Sequence, residues 1–514
     1  MRSCLDNIPG PPSISRWTGV IRQLSSPDAW NFHKEISEKY GSVIKIKAML
    51  GENQLYIFDP KALHQIFTKD QHIFEETPGF IHTNRLVFGP GLLGTIAPRT
   101  GHSHRKQRKM LNPVFSIAHL REMIPLFYSV MYRLRDTLKT QVKGQSKEID
   151  LLDWMSRAAL ELIGQGGLGY SFDPLTSDAV PHPYVRAIKG LGPIAFKLFI
   201  PSRYLLPTIV KIGTPKMRRI VMGCLPWKAL HEARDIADVL HNICVEIFES
   251  KKKALAEGDI AVSKQIGQGK DILSILIREN MQASEADRLP EEEVLGQMST
   301  FIFAATDTTS GALARLFHLL SMHQDVQEKL RREITEARQK HGRDLTYDEL
   351  VALPYLDAIC RETLRLTRKD VVLSLSNPIR GLDGREMSEI AVPQNTTIII
   401  GITACNRNPE IWGPDSFEWK PERWLKPLPD TVARAHLPGV YSNLMTFIGG
   451  GRACIGFKFS QLEMKIVLSL LIEDFKFSPS DKEIFWRMGG IAQPTVSNFY
   501  NPNFQLPIIV QSIQ

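Results

Sequence analysis

The 514-residue sequence lacks the long apolar runs that mark a membrane-spanning protein. No stretch reaches the ~18 consecutive apolar residues that a transmembrane helix requires, and no signal peptide opens the chain. The most apolar long stretch, "LGPIAFKLFIPSRYLLPTIVKI" (191–212), is interrupted by prolines and basic residues. Two interpretations of this stretch stay open: it lies on a bilayer surface, or it forms a buried pair of loop and helix.

Paired cysteines and concentrated charge are also missing. The six cysteines show no CxxC spacing, which argues against a disulfide framework or a structural zinc site and favours a reducing compartment. The net charge of +8 is the difference between 63 basic and 55 acidic residues, and the basic side chains are dispersed along the chain. This distribution argues against nucleic-acid binding, which typically uses a basic arm or stripe.

What the sequence does contain indicates one large globular domain. Hydrophobic residues make up 43% and charged residues 23% of the chain, which is ordinary for a protein with a large core. No Ser/Gly-rich linker or internal repeat divides it. We therefore assign a proline-rich segment around "IPGPP" to residues 1–12 and a single domain to residues 13–514.

Helical patterns dominate the sequence, and strand patterns are few. The stretches "GSVIKIKAML", "NQLYIF" and "TTIIIGI" predict strands. The stretch "DPKALHQIFTKD" predicts a helix that Asp59 caps and in which Pro60 takes the first position. The patterns from about residue 116 to residue 317 are mostly helical. The predicted fold class is mainly α with a small β-sheet region.

The longest predicted helix begins near Pro290, in "LPEEEVLGQMSTFIFAATDTTSGALARLFHLLSMH". Pro290 suits the first helical position, and the three glutamates that follow it favour the positive end of the helix dipole. At around thirty residues this helix exceeds the usual length, so we expect it to cross the whole molecule.

The middle of this helix, "AATDTT", places a carboxylate and hydroxyls in an otherwise apolar stretch of small residues. Burying Asp307 is costly unless the carboxylate has a function. Ala304 and Ala305 would let a flat ring lie against the helix, and Asp307 with Thr308 would relay protons. The alternative is that the hydroxyls bond back to the preceding turn while Asp307 forms a salt bridge.

The stretch "FIGGGRACIG" contains one cysteine shortly after a glycine triplet. The glycines permit a tight backbone, and Gly456 lets a flat group approach closely. Apolar residues at helical spacing from Ile455 to Leu470 predict that Cys454 lies at a helix N-terminus, where a thiolate is favoured. The simplest partner is one metal held mainly by another group, such as iron in a porphyrin, whose propionate Arg452 would bind. The alternative is a buried cysteine in a glycine-rich turn.

Two further stretches are weak signals by themselves. In "CRETLRL", Glu362 and Arg365 stand three residues apart and can form an ion pair on one helical face, as many surface residues do. The basic stretch "HSHRKQRKMLNPVFS" is in its simplest interpretation a solvated helical face.

The spacing of Phe447, Gly450, Arg452, Cys454 and Gly456 matches FxxGxRxCxG. On this motif the chain resembles the cytochrome P450 superfamily, whose haem-ligand loop carries the same pattern. The resemblance implies the cytochrome P450 fold, haem b as the cofactor and Cys454 as the axial sulfur ligand of its iron. It also implies that Phe447, Arg452 and Gly456 contact the haem.

Other motifs follow in the family's order between about residues 100 and 460. "AATDTT" resembles the family's oxygen-activation motif, with Ala305 where glycine is usual, and this implies that Ala305 contacts the haem and that Asp307 and Thr308 are catalytic. In the basic stretch, Arg108 corresponds to a propionate-binding arginine. His104 stands where tryptophan is more common and can still donate a hydrogen bond.

"CRETLRL" together with "KPERW" resembles the family's ExxR and PER signature. By this resemblance Glu362, Arg365 and Arg423 form a buried network that braces the haem-ligand loop. Their role would be structural.

The resemblance implies a haem-thiolate monooxygenase that inserts one oxygen atom from O2 into a C–H or C=C bond of an apolar small molecule. Phe301, Ile491 and Pro494 would contact this substrate. Electrons would come from NADPH through a separate NADPH-cytochrome P450 reductase, with cytochrome b5 as a further candidate partner. The protein would be a monomer on the cytosolic face of the endoplasmic reticulum membrane. The haem loop and "PIRGLDG" resemble basidiomycete sequences, so we expect fungal secondary metabolism and a terpenoid substrate.

Three features depart from the family pattern. The membrane anchor usual in eukaryotic members is missing ahead of the proline turn. After Leu366 the chain runs into "TRKDVVLSLSNPIRG", and roughly ten residues, about one strand, are missing there, with Arg368 as a substitute for a lost basic residue. Ile448 replaces a common glycine, which the sequence suggests is a minor change. Two alternatives stay open: an isomerase or dehydratase of the same fold that does not use O2, and, because of the shortened segment after Leu366, an inactive haem-binding remnant.

Overall fold

Helices make up most of the structure, a computed structural model that describes residues 4–95, 102–258, 260–261, 265–342, 344–366, 379–488, 491–496 and 504–513. The helices of the first half are α1 (Ile21–Leu24), α2 (Trp30–Tyr40), α3 (Pro60–His64), α4 (Pro78–Phe88), α5 (His102–Leu111), α6 (Ile117–Val142), α7 (Leu151–Ile163), α8 (Pro183–Lys197), α9 (Phe199–Tyr204), α10 (Leu206–Ile209), α11 (Pro215–Cys224) and α12 (Lys228–Glu257). Those of the second half are α13 (Ile272–Gln282), α14 (Glu291–Met322), α15 (Gln324–His341), α16 (Tyr347–Ala352), α17 (Pro354–Arg365), α18 (Ile402–Asn406), α19 (Pro409–Trp412), α20 (Asp430–Arg434) and α21 (Phe457–Asp474).

The strands form small sheets at the edges of the helical body. They are β1 (Val43–Lys47), β2 (Asn53–Ile57), β3 (Lys147–Asp150), β4 (Ile379–Arg380), β5 (Glu386–Met387), β6 (Ile398–Ile400), β7 (Phe475–Pro479), β8 (Phe485–Arg487), β9 (Gln493–Thr495) and β10 (Pro507–Ser512). Two sheets have three strands, in the orders β1-β2-β6 and β3-β10-β7, and the pairs β4-β5 and β8-β9 are separate ladders. Only β2 and β6 run parallel among these pairs. The predicted class, mainly α with a small β-sheet region, is confirmed.

Local capping explains where several helices begin. The Asp59 carboxylate accepts hydrogen bonds from the amides of Lys61 and Ala62, and Pro60 takes the first position of α3, as predicted. The long helix α14 is also confirmed, at 32 residues with three glutamates in its first turn. Pro290 differs from the prediction: it is the N-cap, with an extended backbone (ψ 151°), and the helix begins one residue later.

The long helix lies at the centre of the core. It packs mainly against α7 and also contacts α12, α17, α21 and β7. Residues near both of its ends are buried, including Val294 at 1% and Phe317 at 0% exposure. The helix α14 therefore crosses the molecule, as its length led us to expect. The N-terminal segment joins the same body, because Leu5 and Ile8 are buried in the core. The division at residue 12 stays a prediction.

Apolar side chains remain exposed between residues 199 and 227, a region that we call the apolar segment. Its exposed members are Phe199, Ile200, Tyr204, Leu205, Ile209, Ile212, Met217, Ile220, Val221, Leu225 and Trp227. From Phe199 to Ile212 the structure therefore differs from the buried alternative. Across the described ranges we find no helix with the length and hydrophobicity needed to span a membrane.

Candidate active site

The loop before α21 is held in a tight backbone by two glycines. Gly450 has φ +69°, and a Cβ there would lie 1.7 Å from the carbonyl oxygen of Phe67. At Gly449 a Cβ would lie 2.0 Å from the carbonyl oxygen of Pro438. No other residue fits at either position without moving backbone. The predicted reason for the glycine triplet, a backbone conformation that other residues rarely adopt, holds at Gly450. Gly449 has an extended backbone and is required by close approach instead.

Ile448 has φ 44°, in the left-handed region that a β-branched residue rarely adopts. The sequence comparison suggested a minor change from glycine here. The backbone makes it a strained position instead, at a typical cost of ~1–3 kcal/mol. Its side chain packs against the core, which offsets part of that cost.

Cys454 lies in the loop itself and not at the first turn of a helix. Its amide donates to the carbonyl of Phe447 at 2.9 Å. The helix α21 begins only at Phe457, so the predicted position is wrong by three residues. The cause is that Ile455, counted in the helical spacing, precedes the helix.

The Cys454 side chain is exposed, although Ala453 beside it is buried at 7%. The alternative of a buried cysteine is therefore not what the structure shows. At Gly456 an added Cβ would have Phe115 as its nearest neighbour, 4.0 Å away. This side of the loop therefore has room for a flat group beside the sulfur.

Cationic and neutral donors lie next to the loop. The Arg108 guanidinium donates to the carbonyl of Ala453 at 2.6 Å. Burial, with smaller effects of Arg452 and Arg108, lowers the pKa of His104 to about 4, so its ring is neutral at pH 7 and donates one N–H. Arg452 lies 3.3 Å from Glu76, an ion pair that the sequence did not predict. The three predicted propionate ligands are thus close enough to interact.

The second predicted wall is the middle of α14. Ala304 and Thr308, one turn apart, are exposed, whereas the helix around them is mostly buried, and Ala305 is half-buried against the core. Thr308 Oγ1 donates to the Ala304 carbonyl at 2.5 Å, which is the back-bonding of the alternative interpretation. Burial raises the pKa of Asp307 to about 6. Within the described part of the chain, Asp307 forms no ion pair.

Two contacts bring this wall to the Cys454 loop. Thr309 Oγ1 donates to Ser460 Oγ at 3.1 Å, which joins α14 to α21. The Phe115 ring lies against Gly456 on one side and packs edge-on against Phe301, with ring centroids 5.4 Å apart, on the other. The exposed sulfur and the exposed helix face therefore border the same region, and these residues fit a planar group with one thiolate ligand and anionic substituents.

Glu362 and Arg365 form a fully buried pair, each with 0% exposure. Arg365 donates to both carboxylate oxygens of Glu362, at 2.9 and 2.8 Å. Its remaining N–H groups donate to the backbone carbonyls of Asn406, Ser416 and Glu418 at 2.6–3.0 Å. The predicted pair is therefore a core anchor for the segment 406–418, and not a surface ion pair.

Arg423 joins this network less directly than predicted. Its Nε lies 3.5 Å from Glu362 but makes no hydrogen bond. Its two terminal nitrogens donate to the side chain and the carbonyl of Asp415 at 2.8 and 2.9 Å. Hydrogen bonds from Arg423 and Lys420 lower the pKa of Asp415 to about 2. Glu362 instead accepts from the Trp424 indole at 2.9 Å.

Asn406 links the network to the Cys454 loop, and sequence reasoning missed it. Its carbonyl accepts from Arg365, its side-chain oxygen accepts from the Met445 amide at 3.0 Å, and its side-chain nitrogen donates to Thr446 at 3.1 Å. Glu76 and Trp424 were missed because each is far from its partner in sequence. Asp415 is only eight residues from Arg423, but the two lie on no common helix whose spacing would pair them.

The predicted substrate contacts lie in different surroundings. Phe301 is 6% exposed and packs against Phe115. Ile491 lies against α14, 3.6 Å from where a Cβ on Gly311 would stand. Pro494 is buried in β9, where it pairs with Trp486, so the predicted turn at 491–494 is in part a strand that begins at Gln493. Arg368 and the shortened segment after Leu366 lie outside the described residues.

Comparison with known sequences agrees with this geometry. The sequence profile of the family described as Cytochrome P450 matches residues 9–500. The chain belongs to the cytochrome P450 family, whose members are haem-thiolate oxidoreductases that receive electrons from a separate reductase.

Curated relatives narrow the resemblance to basidiomycete fungi. Cytochrome P450 monooxygenase 91 of Postia placenta is 54% identical over 518 residues, covering 99% of this chain and 94% of the relative. Cytochrome P450 monooxygenase 81 of the same fungus is 51% identical, covering 99% and 93%. Ganoderic acid synthetase CYP5150L8 of Ganoderma lucidum is 44% identical, covering 96% and 92%.

Proposed function

We propose that this chain is a monooxygenase that holds haem b through Cys454 and inserts one oxygen atom from O2 into an apolar small molecule. The observation that carries the proposal is the exposed Cys454 side chain bordering the same region as the exposed Ala304 and Thr308 face of α14. When bound, the haem supplies the activation of dioxygen, and its thiolate ligand favours O–O cleavage.

The residues around the haem region have separate tasks in this proposal. Arg108, Arg452 and the neutral His104 ring bind the propionates by charge-assisted hydrogen bonds. Phe447 and Gly456 shape the loop side of the cleft, and the Glu362–Arg365 pair fixes the loop through Asn406.

Proton delivery is the task of Asp307 and Thr308. Because its pKa is about 6, Asp307 exchanges protons readily near neutral pH. Thr308 Oγ1 now donates to the Ala304 carbonyl and keeps its lone pairs for a proton from solvent or from Asp307. This acid and alcohol pair favours an O2-using reaction over the isomerase alternative.

A terpenoid is the proposed substrate class, in fungal secondary metabolism. The support is the name of one relative, a ganoderic acid synthetase, at 44% identity over most of both chains. Phe301, Ile491 and the buried end at Pro494 line the apolar side of the proposed pocket.

The proposed setting is the cytosolic face of the endoplasmic reticulum, with the apolar segment lying on the membrane. Its exposed apolar side chains are interleaved with exposed cations such as Lys211, Lys216 and Arg219, which suit an anionic lipid surface. The protein would act as a monomer and dock NADPH-cytochrome P450 reductase, or cytochrome b5, on another face.

Vesicles containing phosphatidylserine should bind the protein, and Ile220→Asp with Trp227→Asp should weaken that binding.

A carbon monoxide difference spectrum of the reduced protein tests the proposed function. A strongly red-shifted band is expected for thiolate-bound haem, and its absence would indicate the inactive remnant. Product formation with NADPH, O2 and added reductase then separates a monooxygenase from an isomerase, which would need neither NADPH nor O2.

A further inference from the structure

Arg315 is the one arginine of α14, which contains no lysine. The Arg315 guanidinium lies over the Trp486 ring, 5.0 Å from its centroid, and one of its nitrogens lies 3.5 Å from His318 Nδ1. Its side chain is half-buried, and burial lowers the pKa of Arg315 to about 10. Among the described residues, no carboxylate lies within ion-pair distance of it.

Arg407 adds a second guanidinium nearby. It donates to the Leu366 carbonyl at 2.8 Å, but its buried Nε has no hydrogen-bond partner. Burial, and next the positive charges of Arg315 and Arg365, lower the pKa of Arg407 to about 10. The Glu362 carboxylate opposes this effect and raises the pKa of Arg407, but it is the smallest of the four influences, and both of its oxygens bond Arg365.

Arg315 lies on the same face of α14 as the candidate catalytic residues. It follows Thr308 by seven residues, which is close to two helical turns, so the two side chains differ by only ~20° around the helix axis. Gly311, between them on this face, lies against Ile491. Along the axis the separation of Thr308 and Arg315 is ~10 Å.

The surroundings hold the Arg315 side chain in one place. Burial, with a smaller effect of Arg315, lowers the pKa of His318 to about 4, so the ring is neutral at pH 7. Its Nδ1 accepts a hydrogen bond from the Trp486 indole at 2.9 Å, which fixes the ring on which the guanidinium lies. A guanidinium held in this way is preorganised to bind a planar anion, because its N–H groups match the two oxygens of a carboxylate.

We propose that Arg315, with Arg407 beside it, is a specificity-determining residue that binds a carboxylate on the substrate. The substrate is then an apolar acid whose oxidised carbon is separated from its carboxylate by about the axial distance between Thr308 and Arg315, ~10 Å. This inference rests on the proposed function, because it assigns a substrate class to the same site.

Equilibrium dialysis of the holoenzyme with abietic acid and with its methyl ester tests the proposal, since the two probes share one ring skeleton. We expect the acid to bind about tenfold or more tightly than the ester, as for a charged hydrogen bond. Arg315→Met should remove this preference by weakening the acid alone, and Arg315→Lys should retain part of it. Arg332→Met, an exposed position on α15, is the matched control and should change neither affinity.

Equal affinity of the wild-type protein for the two probes would overturn the proposal, as would a full acid preference in Arg315→Met. Both outcomes are read from wild-type and variant dialysis, and the unfolding midpoint of each variant shows whether it is folded. If Arg315→Met does not fold, Arg315→Gln replaces it. The dialysis measurement is independent of the carbon monoxide spectrum, so the two proposals can fail separately. An acid preference without a red-shifted carbon monoxide band refutes the proposed haem chemistry alone. A red-shifted band without an acid preference refutes the carboxylate site alone.

Discussion

The polar groups on the two sides of the proposed haem site are arranged in opposite ways. On the loop side, Arg365 uses all of its N–H groups in hydrogen bonds, and Asn406 connects this buried arginine to the Cys454 loop. On the α14 side, Asp307 has no ion pair among the described residues, and Arg315 has no carboxylate partner there.

We interpret this difference as one between a side of the site that gives structural support and a side that takes part in the reaction. Satisfied buried networks rigidify a structure, and unpaired buried groups are costly unless a ligand or a reaction uses them. In our proposal the loop side holds a ligand in position, and the α14 side keeps groups available for protons and substrate. The predictions below test each side separately.

The largest effect is expected for Cys454→Ala. Removing the proposed iron ligand should abolish the red-shifted carbon monoxide band and reduce NADPH-dependent turnover to background. Cys224→Ala changes another exposed cysteine, far along the chain, and should leave both unchanged. If the band persists in Cys454→Ala, the assignment of the ligand is wrong.

Arg365→Ala tests the loop side through stability. Leaving Glu362 as a buried carboxylate without its cation should cost ~3–5 kcal/mol in the free energy of unfolding, measured by urea denaturation, and should lower haem content. The control is Asp348→Asn, which breaks the ion pair of Asp348 with Arg121, in which both side chains are exposed. That variant should cost far less stability than Arg365→Ala, because the pair is exposed to solvent. Equal losses in the two variants would remove the contrast between core and surface.

Asp307→Asn tests the α14 side through rate. Loss of the proton donor should reduce turnover about 100-fold, and the pH–rate profile should lose its inflection near pH 6. Haem content should stay normal, because this residue supports no part of the loop.

Asp307→Asn should reduce turnover but raise the stability of the protein at neutral pH. Because burial raises the pKa of Asp307 above its ordinary value of 3.8, the wild-type stability contribution is complete below pH 3.8 and is lost as pH rises through about 6. Asp307→Asn should therefore be the more stable protein at pH 7, by ~3 kcal/mol, and lose this advantage at pH 4. Thermal unfolding at the two pH values measures the difference, and destabilisation at pH 7 would contradict it.

The smallest effect is expected for Ile448→Gly. Glycine relieves the strain of φ 44° but loses the packing of the isoleucine side chain, so the free energy of unfolding should change by less than ~1 kcal/mol. Ile448→Ala keeps the strain, loses packing as well and should be the less stable of the two variants in urea denaturation. The opposite order would show that the backbone is not strained there.

Sequence patterns predicted what depends on local spacing. The length of α14, the cap at Asp59 and the i, i+3 pair of Glu362 and Arg365 all follow from residues close in the chain. The start of α21 was placed too early, because apolar spacing continues from the loop into the helix without a break.

Contacts between distant segments were not predictable from one sequence. Asn406 lies 39 residues from Met445, and neither carries a recognisable motif. In the sequence Arg315 is one more polar residue in a helical pattern, and only its surroundings show that no described carboxylate lies within ion-pair distance of it. The family resemblance predicted residue roles, and only the fold shows that Arg423 bonds chiefly to Asp415.

The hydrogen bond between Thr309 and Ser460 limits the width of the proposed cleft. It joins the helix that carries the proposed proton donors to the helix that follows the sulfur-bearing loop, so these two walls separate only if this hydrogen bond breaks. Segments that this bond does not join can change at less cost to admit a thicker molecule. Differences in substrate range among relatives should therefore concentrate outside these two helices.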